Sequence, residues 1–314
     1  MDALSERRSS EGTLAHIIRL GWSARTQKML LPYLFIAPAV ILYFVFKLLP
    51  MLAGLYLATL RWDGLNPPTN VGIENFARIF RDPLMIRALS HNVQYALGTV
   101  VGKIVISLFL AILLSQAIRG RSFYRTALFM PVVMSFVVVG ILWRWMYNPQ
   151  FGIVNGALEL LGLGALIQNW LGDPRIALGS LIGVDIWKWY GFHMVIFLAG
   201  LQSIPGEFYE AARIDGASRW RQFASITLPL LAPVMLVNVT TSLMGGFNVF
   251  DIPFVMTEGG PANSTLVLAL HIYIRGFKFY RFGYASAMSY ALLILVTVIT
   301  AVQLKLMSKN LGTE

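Results

Sequence analysis

The chain has 314 residues and a formal net charge of +10, is 57% hydrophobic and only 13% charged, and contains no cysteine. A soluble domain carries roughly 25% charged residues, so the composition points to a membrane protein; the missing cysteine excludes disulfides and thiolate metal sites. The basic residues border apolar runs, which reads as topology-setting charge rather than as a nucleic-acid footprint.

The first stretch, "MDALSERRSSEGTLAHIIRLGW", is polar for too long to be a cleavable signal peptide. Residues 1–29 are expected to be a cytoplasmic tail. A bilayer-crossing helix needs about 20 mainly apolar residues. Met29–Phe46, Thr126–Trp143, Trp189–Gly206, Gln222–Phe250 and Phe282–Leu304 are free of Lys, Arg, Asp and Glu, and the run from Asn92 to Ala117 is broken only by Lys103. These runs predict six spans, at 31–60, 92–117, 126–147, 176–201, 230–256 and 282–306. They make residues 30–308 one all-α integral membrane domain, with a short C-terminal segment at 309–314.

Lys and Arg set the orientation. Arg7, Arg8, Arg19, Arg25 and Lys28 precede the first span, and Arg119, Arg121 and Arg125 follow the second. With Arg213, Arg219 and Arg221 in the 204–229 loop, they favour both termini on the cytoplasmic side. On the opposite side, "VGIENFARIF" places Ile73, Phe76, Ile79 and Phe80 at helical spacing, predicting an amphipathic helix on the outer membrane face. Between the third and fourth spans, residues 148–175 carry Pro and Gly turn signals around a short helix. Such a long outer surface suits docking of an external partner.

Catalytic signatures are missing. His16, His91, His193 and His271 are scattered, without metal-ligand spacing. "GTVVGKI", Gly98 to Ile104, falls short of a phosphate loop by one residue and by its Ser/Thr. Gly98 and Gly102 read instead as close helix packing. Lys47 and Arg144 read as snorkelling or span-end residues. Asp185 and Lys188 lie three apart on one helix face and are expected to neutralise each other.

The 204–229 loop is the most distinctive segment. Pro205 suits a helix first turn, and Glu207 and Glu210 favour its positive end. A helix is predicted from about Pro205 to Asp215, ended by Gly216. Ser218 would cap a second helix beginning "RWRQF". Small residues at Ala211, Ala212, Gly216 and Ala217 would leave a low-relief surface for another protein. These local signals do not separate that reading from a plain solvated loop.

"EAARIDGASRWRQFASITLPLLAP" resembles the EAA loop of ABC-importer permeases, matching it at Glu210, Ala211, Ala212, Gly216, Ile226, Leu228 and Pro229. "FYRTALFMPVVMSFVVVGILWRWMYNPQFGIVN", "IWKWYGFHMVIFLAGLQSIP", "FDIPFVMTEGGPANST" and "FGYASAMS" look like the carbohydrate-uptake branch of that family, and more narrowly its maltose- and glycerol-phosphate-type subunit. The resemblance spans roughly residues 30–308. The best-known maltose-type subunit has extra N-terminal spans and a large external insertion; here the first outer loop is short and nothing beyond six spans is expected to fit, so docking details need not carry over.

The resemblance implies a type I ABC-importer permease fold in a bacterial or archaeal inner membrane. It implies a second homologous permease subunit, two cytoplasmic ATPase subunits that hold ATP and Mg, and an extracytoplasmic solute-binding protein. No cofactor on this chain is expected, and the pore would work by alternating access. Glu210, Ala211, Ala212, Asp215, Gly216 and Ala217 would form the ATPase-coupling contact. Asp185, Lys188, Trp189 and Phe192 in span four would face the substrate, as would Ser242, Gly246, Asn248 and Val249 in span five. The substrate would be a sugar, with an anionic one, a uronate oligosaccharide or a glycerol phosphate, as the alternative. An ion-coupled secondary transporter is the reading from a different class; it predicts internal repeats and midplane ion sites.

Overall fold

The computed structural model describes residues 24–116 and 118–309. Most of the expected N-terminal tail, and residues 310–314 of the C-terminal segment, lie outside that range.

Up to Tyr56 the chain forms a unit of its own. Helix α1, Ala24–Tyr43, passes through a π-helical turn, Phe44–Leu48, into α2, Leu49–Ala58. Leu31–Ala58 is long and apolar enough to cross a membrane, and such a surface is at home in lipid or against another subunit. Lys47 places its ammonium 5.7 Å from the Tyr43 ring centre.

The second unit begins at Leu57. A two-stranded antiparallel ribbon, β1 (Leu60–Arg61) and β2 (Thr69–Asn70), precedes α3, Glu74–Ile79. The buried Asn75 amide ties them together by donating to the Ala58 and Leu60 carbonyls at 2.9 and 2.8 Å. On and beside this helix Ile79 is buried against the chain, whereas Ile73 and Phe80 are exposed at 79% and 82%.

The long helix α4, Pro83–Ser115, starts earlier than the sequence pattern predicts. Asp82 caps it by accepting from the Leu84 N–H, and Pro83 occupies the first turn, where a missing N–H costs nothing. α4 packs along α8, Ala177–Gln202, which follows the short α7, Ile153–Leu160. Their close approach depends on glycine: a Cβ on Gly98 would lie 3.1 Å from Ile182, and one on Gly102 would overlap Ile186. Small residues do the same work at membrane-helix crossings generally.

Two expected spans are broken. The 126–147 span becomes α5 (Arg121–Val133) and α6 (Phe136–Met146), bent by 99° at Met134 and Ser135. Pro131 removes a backbone donor in the last turn of α5, and Ser135 caps α6 by accepting from the Val138 N–H at 3.3 Å. The 230–256 span is also interrupted. The segment Arg219–Leu230 meets α12, Ala232–Phe247, at 68°, next to Pro229 and Pro233. α12 then stops at Asn248, and α13 restarts over Asp251–Thr257. The described residues therefore hold four uninterrupted candidate spans, or six if each bent pair counts as one. The last is α15, Phe282–Lys309, preceded by the short α14, Leu268–Tyr273.

Long-range polar contacts lock this arrangement. Asn92 on α4 is fully buried. Its amide nitrogen donates to the Gly246 and Phe247 carbonyls, and its oxygen accepts from the Leu268 N–H. The last C=O groups of one helix and the first N–H of another, orphaned by helix geometry, thus share one side chain. Arg144, near the end of α6, donates to the Val255 carbonyl in α13 at 3.3 Å.

Candidate functional site

The loop after α8 folds into the helix–turn–helix its sequence predicts. α9 covers Gly206–Ile214 with Pro205 as its N-cap residue. Gly216 has φ of +72° and nothing within 4 Å of a built Cβ, so its glycine serves the left-handed turn alone. The turn is a Schellman motif: Ala217 N–H bonds the Ala212 carbonyl at 2.8 Å, and Gly216 N–H bonds that of Arg213 at 3.1 Å. Ser218 then caps α10, Arg219–Gln222, by accepting from the Arg221 N–H.

Two contacts make the motif rigid. The Tyr209 and Thr227 hydroxyls lie 2.9 Å apart, and Gln222 donates to the Ala217 carbonyl at 2.8 Å. α10 continues through a π-helical turn, Phe223–Thr227, into α11, Leu228–Leu230, and then α12. Glu210, Ala211, Asp215 and Gly216 are exposed, and Ala212 and Ala217 are half-buried. Around them Phe208, Ile214 and Trp220 are 51%, 87% and 73% exposed, an apolar surface suited to a protein partner.

A cavity of about 380 Å³ lies among α4, α6, α8, α12 and the start of α13. Of the expected substrate-facing residues, Asp185, Trp189, Phe192, Ser242, Asn248 and Val249 line it. Phe136 and Trp189 have ring centres 6.1 Å apart, and Trp189 and Phe192 meet edge to face at 5.8 Å. Ser242 has a fully buried hydroxyl without a hydrogen-bond partner.

Two of those residues are placed elsewhere. Gly246 faces α4, where a Cβ would lie 2.7 Å from the Ala96 Cα; it sets a helix crossing. Lys188 turns to the bend after α5. Its ammonium donates to the Met134, Val132 and Pro131 carbonyls at 2.7, 3.2 and 3.4 Å and lies 4.7 Å from the Phe136 ring centre. A cation at the C-terminal end of a helix meets its unsatisfied carbonyls and the negative end of its dipole.

Lys188 and Asp185 therefore share a helix face, as the spacing suggests, without forming a direct ion pair. Asp185 pairs with Lys103 of α4, and both side chains are buried. A charge within the bilayer calls for such a partner. Sequence spacing ranks the neighbour on the same helix first, whereas the pairing follows from the α4–α8 crossing at Gly102. Lys103, Phe136, His193, Thr241, Gly245, Phe250 and Asp251 complete the wall. Lys103 is visible in sequence as the one charge breaking an apolar run, and Asp251 as a carboxylate near a span end. The His193 contact to the Asn238 amide oxygen, at 2.8 Å, has no local sequence signal.

A second cavity, about 420 Å³, opens beside β1 and α3 and is lined by Arg61, Arg78, Arg281, Trp62, Tyr280 and Tyr284 among others. Beneath it Asp82 accepts from the Tyr284 hydroxyl at 3.0 Å and lies 3.5 Å from Arg275 and His271. Burial raises the Asp82 carboxyl, but the bonds from Tyr284 and the Leu84 N–H, with the Arg275 charge, outweigh it and hold the group below its usual value.

A family model described as "Binding-protein-dependent transport system inner membrane component" matches residues 103–309. The chain is 36% identical to a probable ABC transporter permease protein, YurN, of Bacillus subtilis, over 89% of this chain and 96% of that one. It is 38% identical to the lactose transport system permease protein LacF of Rhizobium radiobacter, over 86% and 92%. Among solved structures, it superposes with a TM-score of 0.79 at 25% identity on a chain of a bacterial alginate ABC transporter in complex with alginate pentasaccharide-bound periplasmic protein, covering 92% of this chain and 98% of that one.

Proposed function

This chain belongs to the family of binding-protein-dependent transport system inner membrane components, and from that premise we propose that it forms half of the pore of an ATP-driven sugar importer. It is a permease of the carbohydrate class, a transport subunit rather than an enzyme. The other half of the pore would be a second, homologous permease. Two cytoplasmic ATPase subunits would hold ATP and Mg, and an extracytoplasmic binding protein would deliver the sugar. Both termini would lie in the cytoplasm.

The observation that carries the reading is the α9–α10 motif. It is short, braced at both ends, and presents small and apolar residues outward. A push on α9 reaches α10 through Tyr209–Thr227 and Gln222–Ala217, then α12 through the bend at Leu231. The far end of α12 contributes Ser242 and Gly245 to the cavity. One lever thus joins the ATPase contact to the sugar path, and alternating access would follow from its movement.

Lack of native cysteine makes the coupling contact simple to test. In the assembled importer, Ala211→Cys is expected to cross-link to an ATPase subunit through a short bis-thiol reagent, and Arg61→Cys is not. Cross-linking from Arg61→Cys but not from Ala211→Cys would reverse the proposed orientation. Sugar uptake driven by an ion gradient without ATP would instead favour the secondary-transporter class.

A further inference from the structure

We infer that the cavity selects uncharged oligosaccharides and rejects uronates, and that Asp251 is the residue that makes this selection. The inference rests on the sugar-importer reading and adds the charge of the cargo to it.

Positive charge recurs in the spans, yet among the described residues none of it is free in the cavity. Lys103 is held by Asp185, with side chains 3% and 7% exposed. Lys188 gives its donors to three backbone carbonyls and does not line the cavity. His193 is turned to a neutral amide. Asp251 remains: an exposed carboxylate on the cavity wall, in the first turn of α13. The wall contributed by the described residues of this chain therefore carries one uncompensated negative charge.

The rest of the wall suits a neutral sugar. Phe136, Trp189 and Phe192 offer apolar plates for C–H faces, as aromatic side chains combine large area with a defined face. Asp251 and Asn248 can accept from hydroxyls. A uronate brings a second carboxylate to this wall. Like charges repel at close range, and among the described residues no free cation on this wall offsets the repulsion.

The test is a binding titration on the complete, purified importer without its binding protein, so that the cavity alone discriminates. Neutral oligosaccharides and uronates of equal length and linkage are compared, galacto-oligosaccharides with oligogalacturonates among them. The readout is the tryptophan-fluorescence change that Trp189→Phe removes. Neutral sugars are expected to bind at least about tenfold tighter than their uronate partners, a modest demand for one like charge at close range. Asp251→Asn should shrink that ratio about tenfold, and Asp185→Asn, which releases Lys103, should shrink it too. The ratio is read within each variant, so a general loss of folded protein does not imitate the effect; Asp251 is exposed, and its variant suffices if Asp185→Asn fails to assemble. Equal binding of uronates by the unmodified protein, or an unchanged ratio in Asp251→Asn, overturns the inference. No response to sugars of either class overturns the sugar-importer reading and the inference with it.

Discussion

Gly191→Ala should destabilise the protein although alanine is the better helix former. Gly191 sits within α8 where α5 crosses. A Cβ there would overlap the Leu128 carbonyl oxygen and lie 3.0 Å from the Leu128 carbonyl carbon and the Phe129 Cα. All three are backbone atoms, so no side chain can rotate away. Carbon atoms prefer about 3.5–4.0 Å, so the helices must part by roughly 0.5–1 Å. Overpacking of this kind costs about 1–3 kcal/mol, and backbone rigidity favours the upper part. Helix propensity returns about 0.5–1 kcal/mol, leaving a net loss of about 1–2 kcal/mol. The Lys188 bonds to Pro131, Val132 and Met134 lie on the same crossing and would lengthen with it. Gly179→Ala is the control on the same helix: its Cβ meets nothing within 4 Å, so it should gain about 0.5–1 kcal/mol. Thermal unfolding in detergent, followed by fluorescence-detected size exclusion, ranks the two. A Gly191→Ala protein as stable as Gly179→Ala would refute the close-approach reasoning.

Lys103→Met should cost about 3–5 kcal/mol, because it strands Asp185 as a buried charge; adding Asp185→Leu should recover most of that loss in the same unfolding assay. Gly216→Val should cost more than the roughly 1–2 kcal/mol a side chain pays for a left-handed turn, and it should lower sugar-stimulated ATP hydrolysis more than Gly206→Ala, whose Cβ would also be in open space. The Asp82 contacts should give a pH dependence. With the folded pKa held below the ordinary carboxylate value, their contribution is full above that ordinary value and is lost as pH falls through the folded pKa. Proteolysis of the segment 257–281 should accelerate in that acid window, and Asp82→Asn should flatten the profile. Lys188→Met leaves the Met134, Val132 and Pro131 carbonyls without their donor, a loss of about 1–3 kcal/mol that unfolding temperatures should register.

Local chemistry was readable in the sequence wherever it is carried by neighbours along the chain. Pro205, Gly216 and Ser218 specify a start, a stop and a new start within one short segment, and the structure places α9 and α10 accordingly. Long apolar runs gave the existence of helices for the same reason. The early start of α4 was a local signal, Asp82 before Pro83, but the other failures are tertiary. A run such as Thr126–Trp143 has the length and apolarity of one span, but neither property reports the bend after Pro131, which Lys188 stabilises from another helix. Asp185 and Lys188 are neighbours in the sequence and partners of different groups in the fold. Gly246 and Ser242 lie one helical turn apart, yet the first faces Ala96 and the second the cavity. Apolar content hides which face of such a helix points where, because lipid and protein interior are equally apolar.

ATP-driven uptake tests the account most directly. Proteoliposomes holding this chain with its partner permease, its ATPases and its binding protein are loaded with ATP and Mg and supplied with a labelled oligosaccharide outside. The account predicts accumulation against a gradient that requires ATP, survives collapse of the proton and sodium gradients, and falls sharply in Gly216→Val. Uptake that persists without ATP, or that Gly216→Val leaves unchanged, would contradict it.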